Sequence, residues 1–468
     1  MSRRQKEGTH VLPEPDARDF LAAEAARAGE RSGAVVITIP APAAPLDSLP
    51  RAFPDEQAFI WHPPQGAAFS GIGSAHSLIP RGEERLDELK EGADELYKTL
   101  ETVVHPDASP APPGLFGGLA FGTGGGEAPP WEEFGDGAFH LPRWLYGRRG
   151  EAGWLSLALR AEPDEGEIER AIQEFAVIDE ALRREPLPPG ALPEAKSIDS
   201  MDRAEWNGLV ESIRGGIEEE RFSKVVLARR AVVHLAGEAA PLAVLERLER
   251  AYPDCYLFLF RLRRSVFLGA TPERLVWKRG MEIATEALAG TIDASVSRDE
   301  WRRLTVALLE SKKDLGEHDL VVNAIRRKLE PLCSELRVPA RPQIRELRNM
   351  MHLHTPMTGV LAHPAHILEL AAALHPTPSI GGVPTAEALR WISRNEPEPR
   401  GWYAGPIGWF DGEDRGDLAV ALRSGLLSGD TAYVYAGAGI VRDSDPEKEY
   451  AETGIKLMPV LRALGAAD

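Results

Sequence analysis

A chain of 468 residues with 43% hydrophobic and 27% charged side chains is long enough for one large domain or two to three ordinary ones. The formal net charge of −18 argues against a nucleic-acid partner, because phosphates need a basic face, but permits a small anionic substrate held by local cations. No apolar run is long enough to span a bilayer, and the two arginines near the N-terminus are not followed by the apolar segment of a signal peptide. We therefore expect a cytoplasmic protein without a membrane partner.

The first half of the chain alternates predicted strands and helices. Short apolar runs predict strands at 33–40, 58–73 (a pair joined by a turn), 114–122 and 153–161, and helical spacing predicts helices at 85–100 and 167–185. Residues 187–200, rich in proline and small side chains, are the best candidate connector. The chain is therefore divided into an N-terminal half, 1–198, and a C-terminal half, 199–468.

The second half begins with an amphipathic helix and continues mainly with strands. We predict helices at 202–222, within 301–331 and from 446, and strands at 223–235, 255–262, 265–280 and within 401–441. The strands occur in neighbouring pairs with helices between the pairs. This order favours antiparallel sheets covered by helices over a doubly wound parallel sheet.

The closing helix carries charged side chains beside its apolar stripe. Glu449, Glu452 and Lys456 fall on one side of the helix and flank the stripe that contains Tyr450 and Leu457. One interpretation is a solvated edge, in which a Glu452–Lys456 pair contributes about 0.2–0.5 kcal/mol. The other is that these side chains form part of a closed site.

The helical stretch 310–330 places a carboxylate where apolar side chains are expected. Glu317 lies one turn before Leu320 and Val321 and so points into their apolar face. An unpaired carboxylate there would cost several kcal/mol or take up a proton. We therefore expect a structural ion pair, a role with a metal or substrate, or an exposed helix end.

Two further residues could carry acid–base chemistry. Lys224 shares a strand face with Val226 and Ala228, where it could be a snorkelling side chain or a general base. Glu273 follows Pro272 at a fixed bend after a strand, where a surface turn or a functional carboxyl group would both fit.

The order of the short motifs is more specific than any one of them. The series is KVVLAR, FLGATPERL, ALAGT, SKKDLGEHDLV, MHLHTPMTG, LHPTPSIGG, RGWYAGPIGW, AVALRS, YAGAGIV and EYAETGIKL. It resembles the chorismate-utilising enzymes, which include isochorismate, salicylate, anthranilate and aminodeoxychorismate synthases. The resemblance covers about 200–465, and the first 200 residues are similar more loosely, chiefly in GGLAFG (117–122) and FHLPRW.

The resemblance implies both a fold and a set of catalytic roles. The fold is a single large α/β (α+β) domain with two facing antiparallel β-sheets and helices outside, in which 187–200 is a surface loop. Lys224 matches the lysine that activates water, and Glu273 matches the general acid that protonates the departing C4 hydroxyl. His352 matches a histidine that orients this hydroxyl.

The resemblance also implies a bound metal ion and a bound dianion. Glu317 and Glu452 match carboxylates that hold Mg²⁺, and Glu449 is expected to hold metal-bound water. An all-carboxylate site suits a hard ion. The residues implied in substrate binding are Gly290, Thr291, Arg423, Gly437, Gly439 and Lys456.

Within this family the sequence favours one branch. The amine-using synthases usually have glutamine at the position of Lys224, and 375–384 is close to the HPTPAxGG form of isochorismate synthases, with Ser379 in place of alanine. We therefore expect a monomeric isomerase that converts chorismate to isochorismate for menaquinone or siderophore biosynthesis, without a glutaminase subunit. Salicylate synthase, which also releases pyruvate, is the alternative; a regulatory chorismate-binding subunit without turnover is the third.

Overall fold

The strands of the first half form where short apolar runs predict them, with further short strands between. The computed structural model describes residues 16–31, 33–109, 113–185, 190–293, 298–347 and 350–467. The first ten strands are β1 (Val35–Ala41), β2 (Ala58–His62), β3 (Ala68–Ile72), β4 (His76–Leu78), β5 (Glu101–Val104), β6 (Gly114–Leu119), β7 (Gly137–Leu141), β8 (Trp144–Arg149), β9 (Ala152–Leu159) and β10 (Ala195–Ser200).

The second half contributes longer strands and the connections that carry most of the motifs. Its strands are β11 (Lys224–Leu235), β12 (Tyr256–Leu262), β13 (Ser265–Thr271), β14 (Arg274–Arg279), β15 (Glu282–Asp293), β16 (Cys333–Arg337), β17 (Gln343–Leu347), β18 (Met350–Leu361), β19 (Gly382–Val383), β20 (Pro406–Asp411), β21 (Arg415–Val420), β22 (Ser424–Ser428) and β23 (Thr431–Ile440).

The helices separate groups of strands, as the chain order predicts. They are α1 (Ala17–Ala26), α2 (Ser48–Ala52), α3 (Arg85–Thr99), α4 (Glu165–Arg183), α5 (Arg203–Glu218), α6 (Pro241–Ala251), α7 (Arg298–Glu310), α8 (Lys312–Leu329), α9 (Ile367–Leu374), α10 (Thr385–Asn395) and α11 (Pro446–Ala463). In the part of the chain that the structure describes, no helix combines the length and apolar character needed to cross a membrane.

The strands pair into two large sheets. The first has the order β10-β11-β23-β22-β13-β12-β2-β3-β8-β9-β1-β5, with β19 paired to β11, and the second has the order β16-β18-β15-β14-β21-β20-β6-β7-β4, with β17 paired to β18. The pairings are antiparallel except that of β1 with β5. Because β12 pairs with β2 and β20 with β6, each sheet contains strands from both halves of the chain.

The two sheets face each other across an aromatic core. Phe59 of the first sheet stacks on Phe116 of the second, with ring centroids 4.2 Å apart, and both side chains are buried. Helices cover the outer side of the first sheet, where Leu457 and Leu461 of α11 join a second buried cluster. The predicted fold of two facing sheets with helices outside is confirmed.

Two local predictions need correction. The helical region 301–331 consists of two helices, because Ser311 interrupts it and accepts a hydrogen bond from the N–H of Asp314 at the start of α8. Residues 195–200, expected in a surface loop, form β10 and pair with β11, whose backbone groups would otherwise lie at a sheet edge. Residues 187–189 of the expected connector lie outside the described residues.

Candidate active site

One cleft brings together the residues that the motif series marks along the chain. Its volume is about 940 Å³ including its open mouth. It lies among β11, β15, β18, β23, α8, α11 and the turns after β13 and β21. The predicted site residues that line it are Lys224, Glu273, Glu317, His352, Arg423, Gly437, Gly439, Glu449, Glu452 and Lys456.

For two of the predicted site residues the structure describes the backbone only. Gly290 and Thr291 belong to β15, but their side-chain environment lies outside the described residues. A register shift between Ala289 and Thr291 places Thr291 opposite His352 of β18. The backbone of the ALAGT motif therefore runs next to a strand that lines the cleft.

Lys224 begins β11 and is almost fully buried, with 1% of its surface exposed. Its Nζ lies 2.7 Å from Oε1 of Glu317. Of the three possibilities that the sequence left open for Glu317, the structure shows an ion pair. Gly439 makes room for this pair, because a Cβ atom there would lie 2.7 Å from Cε of Lys224 and 3.1 Å from Oε1 of Glu317. Gly439, which the resemblance implies as a backbone contact for the substrate, therefore also leaves room for the side chains of Lys224 and Glu317.

Glu273 occupies the tight connection between β13 and β14. The backbone N–H of Val420 donates to its carbonyl oxygen at 3.0 Å, and Thr377 Oγ1 donates to Oε1 at 3.4 Å. The side chain is 3% exposed. Burial raises the pKa of the Glu273 carboxyl to about 8, and the charge of Glu286 acts in the same direction. A carboxyl group with this pKa is protonated at neutral pH and can donate a proton.

The N-terminal part of α11 is fixed by its cap and by a buried arginine. Asp445 accepts hydrogen bonds from the first turn, at 3.0 and 3.2 Å. Arg229 donates to Thr453 Oγ1 at 2.6 Å and lies 4.1 Å from the ring centroid of Tyr450. These contacts hold the helix against β11 and turn the side chain of Glu449 into the interior.

The carboxylates of α8 and α11 are the residues that could hold a metal ion. Glu317, Glu449 and Glu452 line the same cleft and offer only oxygen donors, the type that Mg²⁺ prefers. Glu317 is paired with Lys224, and Glu452 lies 2.6 Å from Lys456. Within the described ranges no three His, Cys, Asp or Glu side chains are close enough to form a metal site as they stand. The oxygen donors of these three glutamates fit Mg²⁺. In this structure, however, Glu317 and Glu452 are each paired with a lysine.

The cationic groups of the cleft oppose the charge of the protein. Lys224, Arg400, Arg423 and Lys456 all line it, although the whole chain carries a net charge of −18. Arg423 is buried, and no described residue accepts a hydrogen bond from its Nε. A buried guanidinium N–H without an acceptor is costly. A small anion in the cleft would supply the acceptor.

Three residues in or next to the cleft contribute in ways that the motif order did not reveal. Arg400 is buried and donates to the carbonyl oxygens of Ile380 and Val226, each at 2.7 Å, which ties the HPTPSIGG segment to β11. Thr377 in the same segment contacts Glu273. Ser379 donates to the carbonyl oxygen of Leu288 at 3.2 Å. The i,i+4 spacing of Arg400 and its buried partner Glu396 was the available signal in the sequence.

Comparison with known proteins agrees with this geometry. The family model described as chorismate binding enzyme matches residues 21–465. The salicylate biosynthesis isochorismate synthase of Pseudomonas aeruginosa is 39% identical over 429 residues, which cover 90% of this chain and 88% of that protein. Isochorismate synthase MenF of Bacillus subtilis is 34% identical over 417 residues, with coverage of 87% and 88%.

A solved structure extends the similarity to three dimensions. The menaquinone-specific isochorismate synthase MenF of Escherichia coli superposes with a TM-score of 0.78 at 28% identity, covering 95% of this chain and 98% of that one. The resemblance drawn from the motifs is confirmed, as is the prediction that the chain is an enzyme. The match of the family model also includes residues 21–200, a part of the chain that the motifs covered only loosely. The chain belongs to the chorismate-binding enzyme family.

Proposed function

We propose that the protein is an isochorismate synthase, an isomerase that converts chorismate to isochorismate. The observation that carries the proposal is that Lys224 and Glu273, a candidate base and a candidate acid, line one cleft together with cations suited to a dianion. Relatives similar along most of the chain are isochorismate synthases, which supports the same reaction. The product would serve menaquinone or siderophore biosynthesis.

The reaction divides into a proton removal and a proton donation. In its neutral form, the amine of Lys224 takes a proton from a water molecule, whose oxygen forms a bond to C2 of chorismate. The ring double bonds shift, the C4–O bond breaks, and Glu273 gives its proton to the departing hydroxyl, which leaves as water. Each group is expected to contribute about 10²–10⁴-fold to the rate. His352 would orient the hydroxyl group that leaves.

The substrate carboxylates would be held by cations of the cleft. Arg423 and Lys456 are the side chains proposed for this role, and the backbone of β15 and β23 would add neutral contacts at Gly290, Thr291, Gly437 and Gly439. Lys456 Nζ also donates to the carbonyl oxygen of Gly437 at 2.9 Å, which fixes its direction. A dianion would thus bind in a protein of strongly negative charge.

We also propose that the enzyme depends on Mg²⁺. Glu317, Glu449 and Glu452 would hold the ion, because these carboxylates of α8 and α11 line one cleft and offer only oxygen donors. When bound, the ion would supply positive charge next to a substrate carboxylate. The protein is proposed to act as a monomer, without a glutaminase subunit.

Proton NMR of the purified protein with chorismate tests this proposal. We expect a mixture of chorismate and isochorismate that forms only when Mg²⁺ is present and contains no pyruvate. Salicylate and pyruvate in equal amounts would assign the protein to the salicylate synthases, and binding without turnover would favour the regulatory alternative. If an aminated product forms when ammonium is added, the protein has an amine-using activity, which contradicts the proposal.

Acid–base catalysis by Glu273 predicts a specific pH dependence. The carboxyl acts only in its protonated form, and its pKa is raised to about 8, chiefly by burial. Activity should therefore be lost as the pH rises through this value, and kcat/KM is the quantity that reports it for the free enzyme. A kcat/KM that stays constant well above this pH would argue against Glu273 as the acid.

Replacing Arg423 should weaken substrate binding. An Arg423→Gln variant loses charge-assisted hydrogen bonds of about 1.5–3 kcal/mol, which corresponds to a rise of roughly 10- to 100-fold in the KM for chorismate. Arg264→Gln, at an exposed arginine outside the cleft, is the control and should leave KM unchanged. Equal KM values for wild type and Arg423→Gln would remove this residue from the substrate site.

A further inference from the structure

A buried carboxylate lies next to the general-acid turn without lining the cleft. Glu286 sits in β15, in the TEALAGT stretch, and is 8% exposed. It is absent from the residues that line the cleft, and no step of the proposed reaction uses it. A buried charge that serves neither substrate nor metal requires an explanation.

Glu286 is held by partners from three neighbouring strands. Its Oε1 accepts a hydrogen bond from the backbone N–H of Arg274 in β14, at 2.7 Å. Arg345 of β17 donates to both carboxylate oxygens, at 3.0 and 2.9 Å, and His354 Nε2 of β18 lies 2.8 Å from Oε2. Burial alone would raise the pKa of Glu286, but the hydrogen bond from His354 and the charge of Arg345 outweigh it, so that its pKa is lowered. Glu286 is therefore a fixed negative charge.

The bond to Arg274 joins this charge to the turn that presents Glu273. Arg274 directly follows Glu273, so its N–H belongs to the peptide unit that carries the Glu273 carbonyl. The N–H of Val420 donates to that carbonyl oxygen. The peptide after Glu273 is thus fixed on its two polar sides, by Glu286 at the N–H and by β21 at the carbonyl.

The charge of Glu286 also reaches Glu273. Among the groups that act on the Glu273 carboxyl, Glu286 favours the protonated form, whereas the hydrogen bond from Thr377 and the charges of Arg423 and Lys224 favour the ionised form. Two cations of the cleft thus oppose protonation of the acid. A negative charge behind the turn offsets them.

We propose that Glu286 is a positioning residue for Glu273: it fixes the general-acid turn through the N–H of Arg274 and places a fixed negative charge behind that turn. This inference rests on the proposed function, in which Glu273 acts as a proton donor. Arg345 and His354 hold the charge in place. The proposed acid, in the turn between β13 and β14, and its supporting carboxylate, in β15, therefore come from different segments of the chain.

Two substitutions in this network should move the pH dependence in opposite directions. In Glu286→Gln the negative charge is removed and Arg345 is left uncompensated, and both changes favour ionised Glu273. We expect the alkaline limb of kcat/KM to move to lower pH by about one unit, with a fall in kcat on the order of tenfold or more from the loosened turn. In Arg345→Gln the cation that offsets the charge of Glu286 is removed, so the negative charge acts more strongly on Glu273. The alkaline limb of kcat/KM should therefore move to higher pH.

The opposite shifts separate positioning from a merely structural role. Loss of either partner of a buried ion pair lowers stability, so a fall in melting temperature is expected for both variants and decides nothing. Glu282→Gln, which removes an exposed carboxylate from the same strand, is the control and should leave the pH profile unchanged. If either variant is too unstable to purify, the other still gives a signed shift.

The outcomes distinguish this inference from the function on which it rests. Wild-type enzyme assayed in the same series must form isochorismate; if it does not, the proposed function fails and the inference fails with it. An active wild type with limbs displaced downward in Glu286→Gln and upward in Arg345→Gln supports the positioning role. An active wild type whose variants keep its alkaline limb, or shift it in the same direction, overturns the role of Glu286 alone.

Discussion

Lys224→Gln should lose isochorismate formation while keeping the fold. Glutamine is close to lysine in length and can still donate a hydrogen bond to Glu317, but it cannot take a proton from water. We expect a fall in kcat of about 10²–10⁴-fold, the usual contribution of a general base. Because substrate is held mainly by other cations, KM should change much less than kcat. Steady-state rates of isochorismate formation, with circular dichroism to verify the fold, measure this effect.

A second buried lysine provides the matched control. Lys278 is equally buried, at 1% exposed, and pairs with Asp414 at 3.2 Å, but it lies outside the cleft. Lys278→Gln removes the same type of charge and should lower stability without reducing turnover comparably. Full activity of Lys224→Gln would remove the lysine from the mechanism. A comparable loss in both variants would point to stability as the cause.

Glu273→Gln should lose turnover by a similar factor for the complementary reason. The amide can accept from Thr377 and keep the shape of the turn, but it has no acidic proton for the departing hydroxyl. We expect kcat to fall about 10²–10⁴-fold. The loss of activity that wild type shows as the pH rises through the pKa of Glu273, about 8, should be absent from the remaining activity. A pH series of initial rates for both proteins measures this.

Glu174→Gln is a suitable control for this variant. Glu174 is also a buried glutamate, bonded to Arg143 and to the indole N–H of Trp144 at 2.9 and 2.7 Å, and it lies outside the cleft. Its substitution should reduce stability and leave the alkaline limb of activity in place. If Glu273→Gln keeps most of the wild-type rate, the proton for the C4 hydroxyl comes from another group.

The sequence predicted the fold where a local pattern was sufficient. Apolar runs located β2, β3 and β12, and helical spacing located α3 and α5 to within a few residues. The division of 301–331 and the strand β10 were missed, since one depends on a capping serine and the other on a partner strand distant in sequence. Strand pairing across long separations is not contained in local periodicity.

The sequence identified residues that line the candidate cleft, but it did not indicate their contacts. The face of β11 and the helical position of Glu317 indicated two buried charged groups, and the structure pairs them with each other. Nothing in the sequence near Glu286 indicated that it would meet Arg274 and Arg345, because those contacts arise from the pairing of β14, β15, β17 and β18. The role of Gly439 depends equally on a neighbouring strand.

The measurement that tests the mechanism most directly is the origin of the new hydroxyl oxygen. Wild-type protein is incubated with chorismate and Mg²⁺ in water enriched in ¹⁸O, and the product is analysed by mass spectrometry and NMR. The proposed attack of water at C2 predicts isochorismate that carries ¹⁸O in its C2 hydroxyl. In the control reaction without enzyme, chorismate should stay unlabelled. Isochorismate without ¹⁸O would contradict water activation by Lys224, and absence of isochorismate would contradict the proposed function itself.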